Sequence, residues 1–229
     1  MNDKEFLISA LYPNLKLKSE GNLTNTVYLQ IKGLMFNYEI VPGQKLVFAS
    51  LAKKLGVSRT PVNNALTILH KEGFLDFTPN QGYTVHKITK EEADALYEVR
   101  QVIETGIVDK IIANCKPKHL KLLKKKEDDF RRAVIGEMRR GLYLLDQEFH
   151  AQIVEIADNQ ILTGYFREIY QRIFLRHSPG PLRGERRQNA PLEHQSMVEA
   201  IEKKDADMLR EHLIKHIKEG QEYVYSFIF

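Results

Sequence analysis

Apolar residues recur along the chain at two periods, and each change of period marks the edge of an element. Val27, Ile31, Leu34, Met35 and Tyr38 fall on one face of a helix that starts at Thr24 and stops at the turn Val41-Pro42-Gly43. Phe48, Leu51, Ala52 and Leu55 form a short second helix, closed by Gly56, a residue free to take positive φ. Ser58 is placed to N-cap a third helix that runs to about Glu72, with Pro61 in its first turn, where no intrahelical N–H is needed. That helix buries Val62, Ala65, Leu66 and Leu69 and turns Arg59, Thr60, Asn63, Asn64, Thr67 and Lys71 outward. Past the C-capping Gly73 the period becomes two. Phe74-Leu75-Asp76-Phe77-Thr78 and Tyr83-Thr84-Val85-His86 read as strands joined by the turn Pro79-Asn80-Gln81-Gly82. Two short helices across a glycine turn, the second polar outside and led by arginine, read as a helix-turn-helix, and the hairpin makes it winged.

Ile88–Glu92 links this unit to the rest and ends in a capping box, Thr89 with Glu92. Beyond it nothing alternates as a strand. Helices are predicted near 90–114, 117–135, 138–158, 160–177, 187–203 and 206–226, separated at Lys116-Pro117, Gly136, Asp158-Asn159, Ser178-Pro179-Gly180-Pro181 and Lys204-Asp205. The fold expected is mainly α. It comprises an extension over 1–23, a winged helix-turn-helix of three helices plus a β-hairpin over 24–88, and an all-helical bundle of six helices over 89–229.

Composition adds three constraints. The chain has 229 residues with a net charge of +4. The stretch 27–90 carries Lys32, Lys45, Lys53, Lys54, Arg59, Lys71, Lys87 and Lys90 against Glu39, Glu72 and Asp76, so the cationic excess lies in the winged part. A polyanion partner is therefore expected there, met by Lys53, Ser58, Arg59, Thr60, Asn63, Asn64 and Thr67, and by Gln81 and Gly82 at the wing tip. The run Lys121–Lys126 is followed at once by Glu127, Asp128 and Asp129 and reads as a solvated helix face. No stretch approaches the roughly 20 apolar residues of a membrane span. A lone Cys115 and the lack of a signal-peptide pattern fit a cytoplasmic protein.

Polar groups interrupt the apolar faces of the second part. Asp146 and His150 border the stripe of Leu142, Leu145, Phe149, Ile153 and Ile156; His194 lies with Val198 and Ile201, and His216 with Leu209, Leu213 and Ile217. One carboxylate and three imidazoles from three helices thus converge, which is costly unless they are paired. A divalent metal held by three nitrogens and one oxygen relieves that cost; zinc is the first choice, with nickel and manganese as alternatives. His212 competes with His216 but has the more polar neighbours. Arg100, on the apolar side of its helix with Glu104 one turn on, either forms a structural pair with it or aims a guanidinium at an anionic ligand.

These features together resemble the GntR family of bacterial transcriptional regulators, in the FadR-like subgroup with an FCD effector domain. The resemblance rests on Pro42-Gly43-Gln44-Lys45-Leu46, Leu51–Val62, Glu72-Gly73-Phe74-Leu75, Gln81–Val85, Tyr97-Glu98-Val99-Arg100, Asp146–His150, His194 with Ala200 and Asp205, and His216. It implies a homodimer that binds operator DNA and answers to a small carboxylate effector, with Arg100 and Glu104 assigned to effector binding. It also implies a metal on Asp146, His150, His194 and His216, and a DNA-reading arginine at Arg59. The chain departs from the family at Asn63-Asn64, where Arg-Glu is usual, at the wing tip Asn80-Gln81-Gly82, and around Phe48-Ala49-Ser50. Asparagine suits bidentate pairing to adenine. Two other readings use the same four ligands: a metal-dependent hydrolase, and a metal-stabilised dimerisation module without sensing. Against the hydrolase, the chain has no His-Glu-x-x-His helix.

Overall fold

The computed structural model describes residues 23–36, 39–136, 142–177 (backbone only for 175–177) and 182–229. The expected extension, Tyr38, the start of the 138–158 helix and the loop at 178–181 lie outside these residues. The chain forms two compact units that meet in sequence between Ile88 and Thr89.

In the first unit α1 (Leu23–Phe36) buries Val27, Ile31, Leu34 and Met35, and also Tyr28, Leu29 and Phe36, so its apolar face is wider than one stripe. Val41-Pro42-Gly43-Gln44 closes a turn, with Gly43 at φ 80° and the Gln44 N–H donating to the Val41 carbonyl at 3.1 Å. The proline-glycine pair fits a type II turn, which needs positive φ at its third residue. β1 (Lys45–Leu46) follows and pairs antiparallel with the last strand of the unit. This strand was not among the expected elements, because two residues carry no period.

α2 (Phe48–Leu55) ends on Gly56 at φ 69°, and α3 (Arg59–Lys71) begins after an extended Ser58. Ser58 holds the N-cap position but its hydroxyl makes no capping bond, so the sequence expectation is right in place and wrong in mechanism. α3 ends in a Schellman motif: the Gly73 N–H donates to His70 and the Phe74 N–H to Leu69, both at 2.9 Å, and Phe74 packs into the core. β2 (Leu75–Thr78) and β3 (Gly82–Val85) then form the hairpin, giving the sheet order β1-β3-β2. Leu75 and Val85 face the core, while Phe77 is half exposed against Tyr83, ring centroids 5.0 Å apart. A buried lysine joins the ends of this unit. Lys32 of α1 donates to the Tyr28 hydroxyl at 2.6 Å, lies 3.3 Å from Glu72 at the end of α3, and sits 4.5 Å from the Phe74 ring centre.

The second unit opens with the expected capping box, Thr89 accepting from the Glu92 N–H while Glu92 accepts from the Thr89 N–H. The helix expected over 90–114 is broken: α4 (Lys90–Gly106) and α5 (Val108–Asn114) flank Ile107 at φ −110°, ψ 5°. Then follow α6 (Pro117–Ile135), α7 (Leu142–Glu155), α8 (Gln160–His177), α9 (Gly184–Lys203) and α10 (Ala206–Ile228). α9 starts before the expected 187 and carries Pro191 inside it; α10 is capped by Asp205, which accepts from the Met208 N–H at 2.9 Å. The described residues of this unit contain no strand. Phe149, Phe166, Ile111, Leu123, Met197, Leu209 and Leu213 make its core. α7 is buried almost all round, with Leu144 and Gln147 inside as well as the expected stripe, of which Leu145 is only half-buried. No helix among the described residues is long and apolar enough to cross a membrane.

Candidate functional site

In the winged unit, Arg59, Thr60, Asn63 and Asn64 are all exposed along the outer face of α3, with Lys53 exposed on α2 and Ser58 at the turn. Gln81 is exposed at the wing tip, beside Gly82 at φ 85°, a conformation that L side chains rarely adopt. Thr67 is engaged within the unit: its hydroxyl donates to the Asn63 carbonyl at 2.9 Å and accepts from the Tyr83 hydroxyl at 3.0 Å. It joins α3 to the wing and presents no free donor.

In the helical unit, one donor atom from each of Asp146, His150, His194 and His216 lies within 4.8 Å of every other. His150 and His194 are fully buried and His216 nearly so. α7 contributes the first two residues one turn apart, so both point the same way; α9 and α10 supply the others. His212 is half-buried and outside the group.

The surrounding carboxylates fix the imidazoles. His150 Nδ1 lies 2.6 Å from Glu104 Oε2, and His216 Nδ1 lies 2.7 Å from Glu193 Oε2. The shorter carboxylate contacts assign the proton to each Nδ1, which donates it, with Arg186 Nη2 beside His216 Nδ1 at 3.2 Å. The two Nε2 atoms are left with lone pairs and face each other at 3.0 Å. His194 Nε2 is 3.1 Å from Asp146 Oδ1 but not aligned for a hydrogen bond, so it too is buried without a partner. Two imidazole lone pairs that face each other, with a third imidazole and a carboxylate beside them, repel unless a cation lies between them. The donor set fits a divalent metal with a carboxylate–histidine outer shell on two of its ligands.

The electrostatics agree. Burial lowers His194 to about 4, further than the Asp146 carboxylate can raise it, so its imidazole stays neutral and ready to ligate. His216 is lowered by burial, by His150 and by Arg186. Burial pushes the Asp146 carboxyl up, but the contact with His194 Nε2 and the positive charge that protonated His150, His194 and His216 would place beside it more than reverse this and hold it below the usual carboxylate range. The Tyr170 hydroxyl also donates to Asp146. His194 is held by stacking on Phe149, centroids 4.1 Å apart at 17°, with Phe130 on its ring at 4.5 Å.

Glu104, expected to bind the effector with Arg100, has both oxygens engaged: Oε1 accepts from Arg100 Nε at 2.7 Å while Oε2 holds His150. It orients the His150 imidazole. Arg100 forms the structural pair through its Nε, while its Nη2 is buried without a partner among the described residues and its guanidinium lies over Tyr170, 4.7 Å from the ring centre. Sequence reasoning missed Glu193, Tyr170 and Arg186. Arg186 and Glu193 bond at 2.5 Å and lie seven residues apart on α9, the one local signal that was available.

The model for bacterial regulatory proteins of the gntR family matches residues 23–85, and the FCD domain model matches residues 95–219. The HTH-type transcriptional regulator YdhC of Bacillus subtilis (strain 168) is 25% identical over 198 residues, covering 86% of this chain and 88% of its own. The Nta operon transcriptional regulator of Aminobacter aminovorans is 31% identical over 140 residues, 60% of this chain and 65% of its own. Among solved structures, E. coli McbR/YncC superposes with a TM-score of 0.75 at 23% identity over 90% of this chain and 98% of its own, which bears on the fold. These relatives are regulators, and the hydrolase reading falls. With the FCD match alone spanning more than half of its length, the chain belongs to the GntR family of bacterial transcriptional regulators that carry an FCD domain.

Proposed function

We propose that this regulator binds operator DNA as a homodimer through the winged unit, and that a small carboxylate, docked on a divalent metal in the helical unit, controls that binding. The observation that carries the metal is the pair of imidazoles whose Nδ1 atoms are committed to Glu104 and Glu193, so that their Nε2 lone pairs meet at 3.0 Å. Asp146, His150, His194 and His216 would hold the ion, and three nitrogens with one oxygen suit zinc, then nickel or manganese. The bound ion supplies positive charge and open coordination positions for a carboxylate. Arg100 supplies the second anchor, because its buried Nη2 has no partner and a carboxylate oxygen would satisfy it. Exposed Arg59, Thr60, Asn63 and Asn64 on α3, with Lys53 and Gln81, form the DNA-facing set. A ligand shifts DNA affinity only if it binds one arrangement of the protein better than another.

The test has three parts on the purified full chain. Elemental analysis should find close to one divalent ion per chain, lost in His150→Ala. Thermal melting against a panel of mono- and dicarboxylates should show at least one that raises Tm, and this rise should vanish in Arg100→Ala. Fluorescence anisotropy with fragments from the flanking genome should show binding altered by that acid, and sedimentation should give a dimer. Metal without any acid response leaves the second reading, a purely structural ion, which the deep burial of the three imidazoles favours.

A further inference from the structure

The outer face of α3 carries two lines of side chains one helical turn apart: Arg59 with Asn63, and Thr60 with Asn64 and Ile68. Among the described residues neither Asn63 nor Asn64 has a side-chain hydrogen bond, and both residues are exposed. Asn63 receives a bond only at its main-chain carbonyl, from Thr67. Arg59 is likewise exposed and makes no ion pair among the described residues. Ile68, next on the Asn64 line, is 38% exposed, an apolar residue on an otherwise polar face. Two exposed amides flanked by an exposed guanidinium and an outward isoleucine hold no side-chain partner among the described residues.

We infer that Asn63 and Asn64 read adenines in the major groove, so that the operator half-site pairs a guanine, read by Arg59, with adjacent A·T pairs. The proposal rests on the reading of α3 as the DNA-facing helix. A carboxamide matches adenine in bidentate fashion, donating to N7 no more than once and accepting once from the N6 amine, whereas guanine presents two acceptors in the groove and suits arginine. Four residues advance about 6 Å along a helix, and stacked pairs are about 3.4 Å apart, so the Arg59 and Asn63 targets lie within about two steps. Successive helix residues point about 100° apart, so Asn63 and Asn64 address different pairs. Ile68 and the Thr60 methyl add apolar surface on the Asn64 line, which suits the thymine C5-methyl opposite an adenine.

The experiment is in vitro selection from a random duplex pool with the full wild-type chain, Asn63→Ala and Asn64→Ala, followed by 7-deazaadenine substitution in the selected site. The expected wild-type motif has a guanine within about two pairs of consecutive A·T pairs. Each alanine variant, folded by circular dichroism, should relax the preference at one A·T position only. Removing N7 at a read adenine takes away one of the two bonds and should weaken wild-type binding by about 2- to 13-fold. Because this last measurement uses the wild-type chain, it stands even if a variant misfolds. Selection of G·C at those positions, or indifference to 7-deazaadenine at every adenine of the motif, overturns the inference and leaves operator binding intact. No enriched motif from the wild type overturns both.

Discussion

At residue scale Glu104 and Glu193 each hold one imidazole of the proposed ligand set by its Nδ1 and so orient it. Glu104→Gln keeps the shape and removes the charge that polarises His150, so metal affinity should fall by about 10–100-fold. Competition against a coloured chelator reads this directly, with far-UV circular dichroism unchanged. On the DNA side, Arg59→Ala should weaken operator binding by about 5- to 150-fold if the guanidinium reads a guanine. The salt dependence of the affinity separates this from a phosphate contact, whose loss would flatten the log–log slope by about 0.9. Asp146, His150, His194 and His216 were legible in the sequence because each is polar on an apolar face at helical spacing. Tyr170 and Glu193 were not, since their bonds to Asp146 and His216 cross from one helix to another and leave no local period.

At the scale of elements, two glycines of opposite meaning give a paired test. Gly56 ends α2 at φ 69°, so Gly56→Ala forces a side chain into the left-handed region and should destabilise the protein by about 1–2 kcal/mol. Gly33 lies inside α1 with open space where a Cβ would sit, so Gly33→Ala should stabilise by about 0.5–1 kcal/mol. Urea titrations of both variants check the signs. The helix-turn-helix was legible because cap position, glycine turn, first-turn proline and polar face agree on one answer. β1 was hidden by its two-residue length. The break at Ile107 was hidden because apolar residues continue at helical spacing through Val108 and Ile111, and only Gly106 hinted at it.

For the whole molecule, metal binding should appear as stability. At a free metal concentration about a thousand times Kd the folded state gains about 4 kcal/mol, which for a protein of this size is a Tm rise of about 10 °C. Scanning calorimetry before and after chelation tests this, and His150→Ala should make the two scans coincide. One carboxylate has a further consequence at this scale. Glu104 grips Arg100 with one oxygen and His150 with the other. If the proposed acid and metal bind there, an acid that draws on Arg100 alters the group that orients His150, and the two binding events would share a free energy. Whatever factor the acid contributes to metal affinity, the metal must contribute to acid affinity. On the proposed reading such a regulator would answer to two concentrations at once, and metal starvation would change its sensitivity to the acid by that same factor while the cell still made both the protein and the acid.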